Sequence, residues 1–118
     1  MGVNLFGTDG IRGRVNLNIT NEKLALESLI DKREISPPIY RLIGEALGRC
    51  AEFESGQQVR AVIGWDDRPA NTVLAEHLTV GLRLAGFEVI HIGICATPGL
   101  HYATLLYEAY FGCMITAS

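Results

Sequence analysis

Short apolar runs alternating with helix-patterned stretches confine this chain to a layered α/β architecture. Gln58 to Gly64 carries Val59, Ala61, Val62 and Ile63, while Phe87 to Ile92 and Phe111 to Ile115 are equally compact. Each is bounded by Gly or by a polar turn, as buried strands are. Between them, the stretch from Asn71 to Ala85, closed by Gly86, reads as a helix, and Thr97-Pro98 opens another that reaches Tyr107. Upstream, Ser36-Pro37-Pro38 caps and starts the clearest amphipathic helix, with Ile39, Leu42, Ile43, Ala46, Leu47 and Cys50 at three- and four-residue spacing. That stripe is expected to cover one face of a sheet. An earlier helix runs from Asn21 towards Ile30, with Thr20 as its cap and Leu24, Leu26, Leu29 and Ile30 as its apolar positions. Asp31 to Glu34 reads as a solvated charged connector, and Val3 to Phe6 and Arg14 to Leu17 as short extended pieces. Strands and helices alternating at these lengths put helices on both faces of one sheet.

Composition narrows the class further. At 118 residues, 48% hydrophobic and 19% charged, the chain is one globular domain with its own core. No apolar run is long enough to span a membrane, and Met1-Gly2-Val3-Asn4 lacks the basic flank of a secretory signal, so the cytoplasm is the expected compartment. A net charge of -3, with Lys and Arg scattered, argues against nucleic acid as a partner. Cys50, Cys95 and Cys113 are odd in number, sit in apolar surroundings and show no Cys-x-x-Cys spacing, so all three are expected as free core thiols. His77, His91 and His101 have no metal or triad spacing and read as structural. Tyr102, Tyr107, Tyr110 and Phe111 read as core or domain-interface aromatics.

Chemistry concentrates at the two ends. The last apolar run leads through Thr116-Ala117 to Ser118, a hydroxyl delivered to the rim of a sheet and the leading nucleophile candidate. Near the start, Phe6-Gly7-Thr8-Asp9-Gly10-Ile11-Arg12-Gly13 sets one Arg among three glycines; its planar fork matches phosphate geometry. Thr8 and Asp9 are read as shaping that loop, since short polar side chains in Gly-rich turns bond their own backbone. Asp66 and Arg68, just after the Gln58 to Gly64 strand, are read as locking their own turn.

Taken together, these segments resemble the alpha-D-phosphohexomutase superfamily, and within it most nearly the phosphoglucosamine mutases. The Phe-Gly-Thr-Asp-Gly-Ile-Arg-Gly stretch and the Thr-Ala-Ser ending carry the resemblance, supported by Gly64-Trp65-Asp66-Asp67-Arg68 and Thr97-Pro98 in the family's order. Two features depart from the pattern. The small Ser-Gly pair usual after the Asp-x-Arg turn is Ala70-Asn71, and Ser28 to Pro38 looks like an insertion.

The resemblance implies a three-layer α/β/α domain with a mixed, mostly parallel four-stranded sheet, residues 1–118 being the first of four domains. It implies that Ser118 is phosphorylated, relays its phosphoryl group to a hexose or hexosamine phosphate, and contributes its phosphate to a Mg²⁺ site, with Arg12 offsetting the phosphoryl charge. The Asp-rich loop that completes the metal site does not occur in this sequence. The segment alone is therefore expected to be inactive and metal-free, and, were Ser118 the true terminus, unphosphorylated beside its own carboxylate. The expected reaction interconverts glucosamine 6-phosphate and glucosamine 1-phosphate. Glucose or mannose phosphate as substrate, or a non-catalytic sugar-phosphate binding domain of the same fold, are the alternatives.

Overall fold

A computed structural model of the chain describes residues 14–50 and 59–115. Nine elements follow in order: β1 (Arg14–Val15), α1 (Glu22–Lys32), β2 (Glu34–Ile35), α2 (Pro37–Cys50), β3 (Val59–Trp65), α3 (Ala70–Leu84), β4 (Phe87–Ile94), α4 (Thr97–Leu106) and β5 (Phe111–Ile115). The Val3 to Phe6 strand, the Gly-rich loop and Thr116 to Ser118 lie outside the described residues.

The three apolar runs form one sheet of order β4-β3-β5 with β3 in the centre, paired parallel on both sides. Parallel neighbours need crossovers, and α3 and α4 supply them. Alternation along β3 separates the two faces. Val59, Ala61 and Ile63 join Leu74, Ala75, Leu78 and Leu82 of α3 in one core, to which β5 adds Phe111, Cys113 and Ile115. Gly64 faces the other way, where Leu100 of α4 approaches it. Helices thus lie on both faces, as the alternation predicts. Among the described residues, however, the sheet has three strands, not four, and every pairing is parallel.

The expected connector from Asp31 to Glu34 is structured. Asp31 and Lys32 belong to the last turn of α1, Arg33 ends it in the left-handed region (φ 53°), and Glu34 begins β2, which pairs parallel with β1 in a small second sheet. Glu34 is half-buried and accepts hydrogen bonds from Asn16 Nδ2 (2.8 Å) and Ser28 Oγ (3.0 Å), which ties α1 to both short strands. A carboxylate with two such donors has no need of bulk solvent, and this contact could not be seen in the local charge pattern.

Two further expectations about α1 and α2 change. Asn21, not Thr20, caps α1, its side chain accepting from the Lys23 and Leu24 amides at 2.9 and 3.2 Å. Of the proposed apolar positions, Leu24, Leu26 and Ile30 are exposed, and Ala25 is the residue that α1 buries. Ser36 starts α2 through its carbonyl, which receives the Ile39 and Tyr40 amides, and its buried hydroxyl has no partner among the described residues.

The stripe of α2 is used as predicted, with Ile39, Ile43 and Leu47 in the main core. Yet α2 packs chiefly along α3, and glycines make the approach possible. A Cβ on Gly81 would lie 2.0 Å from the Arg41 carbonyl oxygen, and one on Gly44 would lie 2.6 Å from that of Leu78. The two backbones are in direct contact there. At β4, a register shift opposite Ile63 and Gly64 leaves Ile92 without a partner, and Gly93 takes φ 74°. This bulge lets pairing resume through Ile94, two residues beyond the predicted strand end.

Gly81→Ala should therefore destabilise the fold by about 1–3 kcal/mol, because the methyl group meets backbone that cannot step aside. Gly99→Ala, whose methyl would find its nearest neighbour, Cys95 Cβ, at an ordinary 3.9 Å, serves as the control. Thermal unfolding of the two variants checks the expectation: a Tm drop on the order of 10 °C for the first and none for the second.

Candidate active site

Strand order reverses about β3, since the chain moves out to β4 and then returns across the sheet to β5. In open α/β sheets a crevice forms at the carboxyl ends of strands at such a reversal. Here those ends are Trp65, Ile94 and Ile115. The polar turn that follows β3, Asp66-Asp67-Arg68-Pro69, therefore stands beside the end of β5.

Hydrogen bonds lock the two together. The Asp66 amide donates to the Ile115 carbonyl at 3.1 Å, continuing the ladder one step past the strand end. The Asp66 carboxylate accepts from the Arg68 amide at 3.3 Å, an Asx-type turn, and from the side-chain amide of Asn71. Asn71 Nδ2 also lies 3.3 Å from the Ile115 carbonyl oxygen, and its own amide bonds the Arg68 carbonyl at 3.1 Å. On the other side, the Cys95 amide donates to the Trp65 carbonyl at 3.0 Å and holds the β4–α4 loop to the same strand end. Asn71 is buried, Asp66 half-buried, and Asp67 and Arg68 exposed.

The chain that carries this turn matches known proteins along nearly its whole length. Residues 3–118 match the family described as phosphoglucomutase/phosphomannomutase, alpha/beta/alpha domain I. The chain belongs to that family. It is 39% identical over 116 residues to phosphoglucosamine mutase of Synechococcus elongatus, covering 98% of this chain and 21% of that protein. It is 39% identical over 120 positions to phosphoglucosamine mutase of Acaryochloris marina, covering 98% and 22%. Against phosphoglucosamine mutase of Mycobacterium leprae the identity is 37% over 116 residues, covering 97% and 21%. The chain spans about a fifth of the length of the curated relatives it matches.

In this phosphohexomutase domain the reading of Asp66 as a turn lock holds, but through backbone and Asn71 instead of through Arg68. The Arg68 side chain has no ion-pair partner among the described residues and stays in solvent at the sheet's carboxyl edge. Ser118, Arg12, Thr8 and Asp9 lie outside the described residues. Asn71 is the residue that sequence reasoning noticed only as a departure from a pattern. A lone Asn at the start of a helix has many bland uses, and nothing local says that its amide faces a strand end 44 residues later.

Among the described residues no three His, Cys, Asp or Glu side chains converge to hold a metal ion. The described part of the domain does not by itself form a Mg²⁺ cage. No described helix is long and apolar enough to cross a membrane. His91 hydrogen-bonds Thr79 Oγ1 at 2.6 Å; that hydroxyl spends its proton on the Ala75 carbonyl, so His91 Nε2 carries the hydrogen. Desolvation, and then Arg83, lower the His91 pKa, with Glu76 opposing. Of the four predicted aromatics Phe111 is core, packed on Phe87, while Tyr102, Tyr107 and Tyr110 are exposed.

Cys95 and Cys113 are free thiols, and Cys50's side chain lies outside the described residues. Burial pushes the Cys113 thiol up to about 12, and burial also raises Cys95 against a weaker opposing hydrogen bond from Trp65 backbone. Thiolate is the reactive form, so Cys113 should resist iodoacetamide at pH 8 until the domain unfolds. Peptide mass mapping of native and denatured labelling checks this. Cys113 alkylated as fast in the native as in the denatured protein would mean that β5 is not buried as described.

Proposed function

We propose that this domain carries the phosphoryl-relay serine of a hexosamine-phosphate mutase, with Ser118 as nucleophile and Arg12 as its anion clamp. One observation above all supports the reading. The end of β5 is held by two hydrogen-bond donors, the Asp66 amide and the Asn71 side-chain amide, at the carboxyl edge of the sheet, and Ser118 follows Ile115 by three residues, a reach of about 10 Å at most. A hydroxyl within that reach of the sheet's carboxyl edge supports the relay reading. Resemblance in both end motifs, and relatives named phosphoglucosamine mutase, favour a hexosamine phosphate as substrate.

In the relay, the phosphoryl group on Ser118 Oγ passes to the free hydroxyl of a sugar monophosphate. The Oγ–P bond breaks as the sugar O–P bond forms, and the sugar hydroxyl proton passes by way of a base to Ser118 Oγ. The resulting bisphosphate then returns its other phosphoryl group to Ser118 Oγ. Phosphate count and charge balance over the cycle, and no external donor is consumed. Arg12 supplies a planar, permanently charged fork for the transferring group, which a point charge on a flexible stem does not reproduce. Mg²⁺, where bound in the complete protein, would neutralise phosphoryl charge. The remaining domains of the complete protein are the partners that would supply its Asp-rich ligands and the loop that reads the sugar.

In the complete mutase polypeptide, Ser118→Ala should lower turnover of glucosamine 6-phosphate by orders of magnitude without loss of fold. Arg12→Lys should fail to rescue Arg12→Ala. Turnover assayed in parallel with glucose and mannose phosphates identifies the sugar. Near-normal activity in folded Ser118→Ala would remove the nucleophile reading, and binding of sugar phosphate with no turnover by the wild type would leave only a binding domain.

A further inference from the structure

A side-chain amide nitrogen offers two N–H donors. At Asn71 one is directed to the Asp66 carboxylate and the other to the Ile115 carbonyl at 3.3 Å, the Asp66 carbonyl oxygen lying farther off at 3.5 Å. The residue is only 2% exposed, so neither donor has water as an alternative. The Ile115 carbonyl also accepts the Asp66 amide, so both lone pairs of the last carbonyl in β5 are occupied by donors from the β3–α3 turn. This arrangement is not a helix cap. Asn71 is the second residue of α3, and the helix start has no side-chain cap hydrogen bond.

Consequences run down the chain through covalent geometry. The peptide unit is planar, so a carbonyl held from two directions fixes the plane in which the chain leaves Ile115. Only the backbone dihedrals of residues 116 and 117 then separate that fixed plane from the Cα of Ser118. We infer that Asn71 is a positioning residue for Ser118, a two-armed clamp that sets the direction in which the chain leaves β5. The inference rests on the nucleophile reading above and deepens it. Burial of α3 does not depend on the clamp, since Leu74, Leu78 and Leu82 already hold the helix in the core.

The test compares Asn71→Ser, Asn71→Asp, Leu82→Ala and Ser118→Ala in the complete mutase polypeptide, with steady-state kinetics, Tm and amide hydrogen exchange of each. Asn71→Ser is too short to bridge both acceptors; Asn71→Asp keeps the shape but turns a donor into a carboxylate facing Asp66. Both should lower kcat about 10- to 100-fold, the scale of an ångström-sized misplacement, with KM within about twofold of wild type. Exchange should accelerate in the peptide spanning 112–118 and not in the α2–α3 core. Leu82→Ala, which opens a cavity far from the turn, should lower Tm while leaving kcat unchanged below the transition. Should Asn71→Asp fail to fold, Asn71→Ser alone decides. Folded Asn71→Ser with wild-type kcat, or with a kcat loss that disappears when the variant is assayed well below its own Tm, overturns the clamp while an inactive Ser118→Ala leaves the nucleophile reading standing. An active Ser118→Ala instead removes that reading and the positioning role with it.

Discussion

Parallel pairing of β3 on both edges is the constraint from which the rest of the structure follows. A strand buried on both faces and flanked by two parallel neighbours cannot be reached by hairpins, so each neighbour arrives by a helical crossover. Because β4 and β5 lie on opposite sides of β3, those crossovers cover opposite faces, and all three strands end at the same edge. The polar turn after β3, the loop after β4 and the exit of β5 are brought together there by topology before any side chain contributes. Asp66 and Asn71 then convert proximity into fixed geometry.

Rigidity behind that edge comes from an unusual economy of side chains. Where α2 crosses α3, Gly44 and Gly81 let carbonyl groups of one helix approach the backbone of the other, while Ile39, Ile43, Leu47, Leu74, Leu78 and Leu82 fill the space around the contact. Glycine in a helix costs about 0.5–1 kcal/mol relative to alanine. That cost is offset when close approach brings large apolar groups into contact on either side. A long, close-packed helix pair seats the first turn of α3, and with it Asn71, against the sheet.

Much of this was legible in the residues. The three core strands, the stripe of α2, and helices ending at Gly86 and starting at Thr97-Pro98 are written in local periodicity and in Gly and Pro chemistry, which depend on neighbours in the chain. Other features were not. Leu24, Leu26 and Ile30 look like a core face, yet α1 buries Ala25, because the partner surface and not hydropathy alone selects the buried side. Glu34 looks solvated, yet it is tied to Asn16 and Ser28. The predicted end of β4 at Ile92 fell short because Gly93 reads equally as a stop or as a bulge, and pairing with Gly64 and Trp65 decides between them.

The candidate site divides the same way. Its chemistry, a hydroxyl at the end of an apolar run and an Arg among glycines, could be named from residue types and from the motifs that place the chain in its family. By itself the sequence determined the α/β class, the central strands and the family, because each rests on local pattern or on contiguous motifs. Only the tertiary structure decided that the Asp66 turn and the β5 exit share one edge, and that Asn71, an apparent departure from the family's small residues, spans them. Those contacts join residues far apart in the chain, and hydrogen bonding between them depends on a strand order that no single segment encodes.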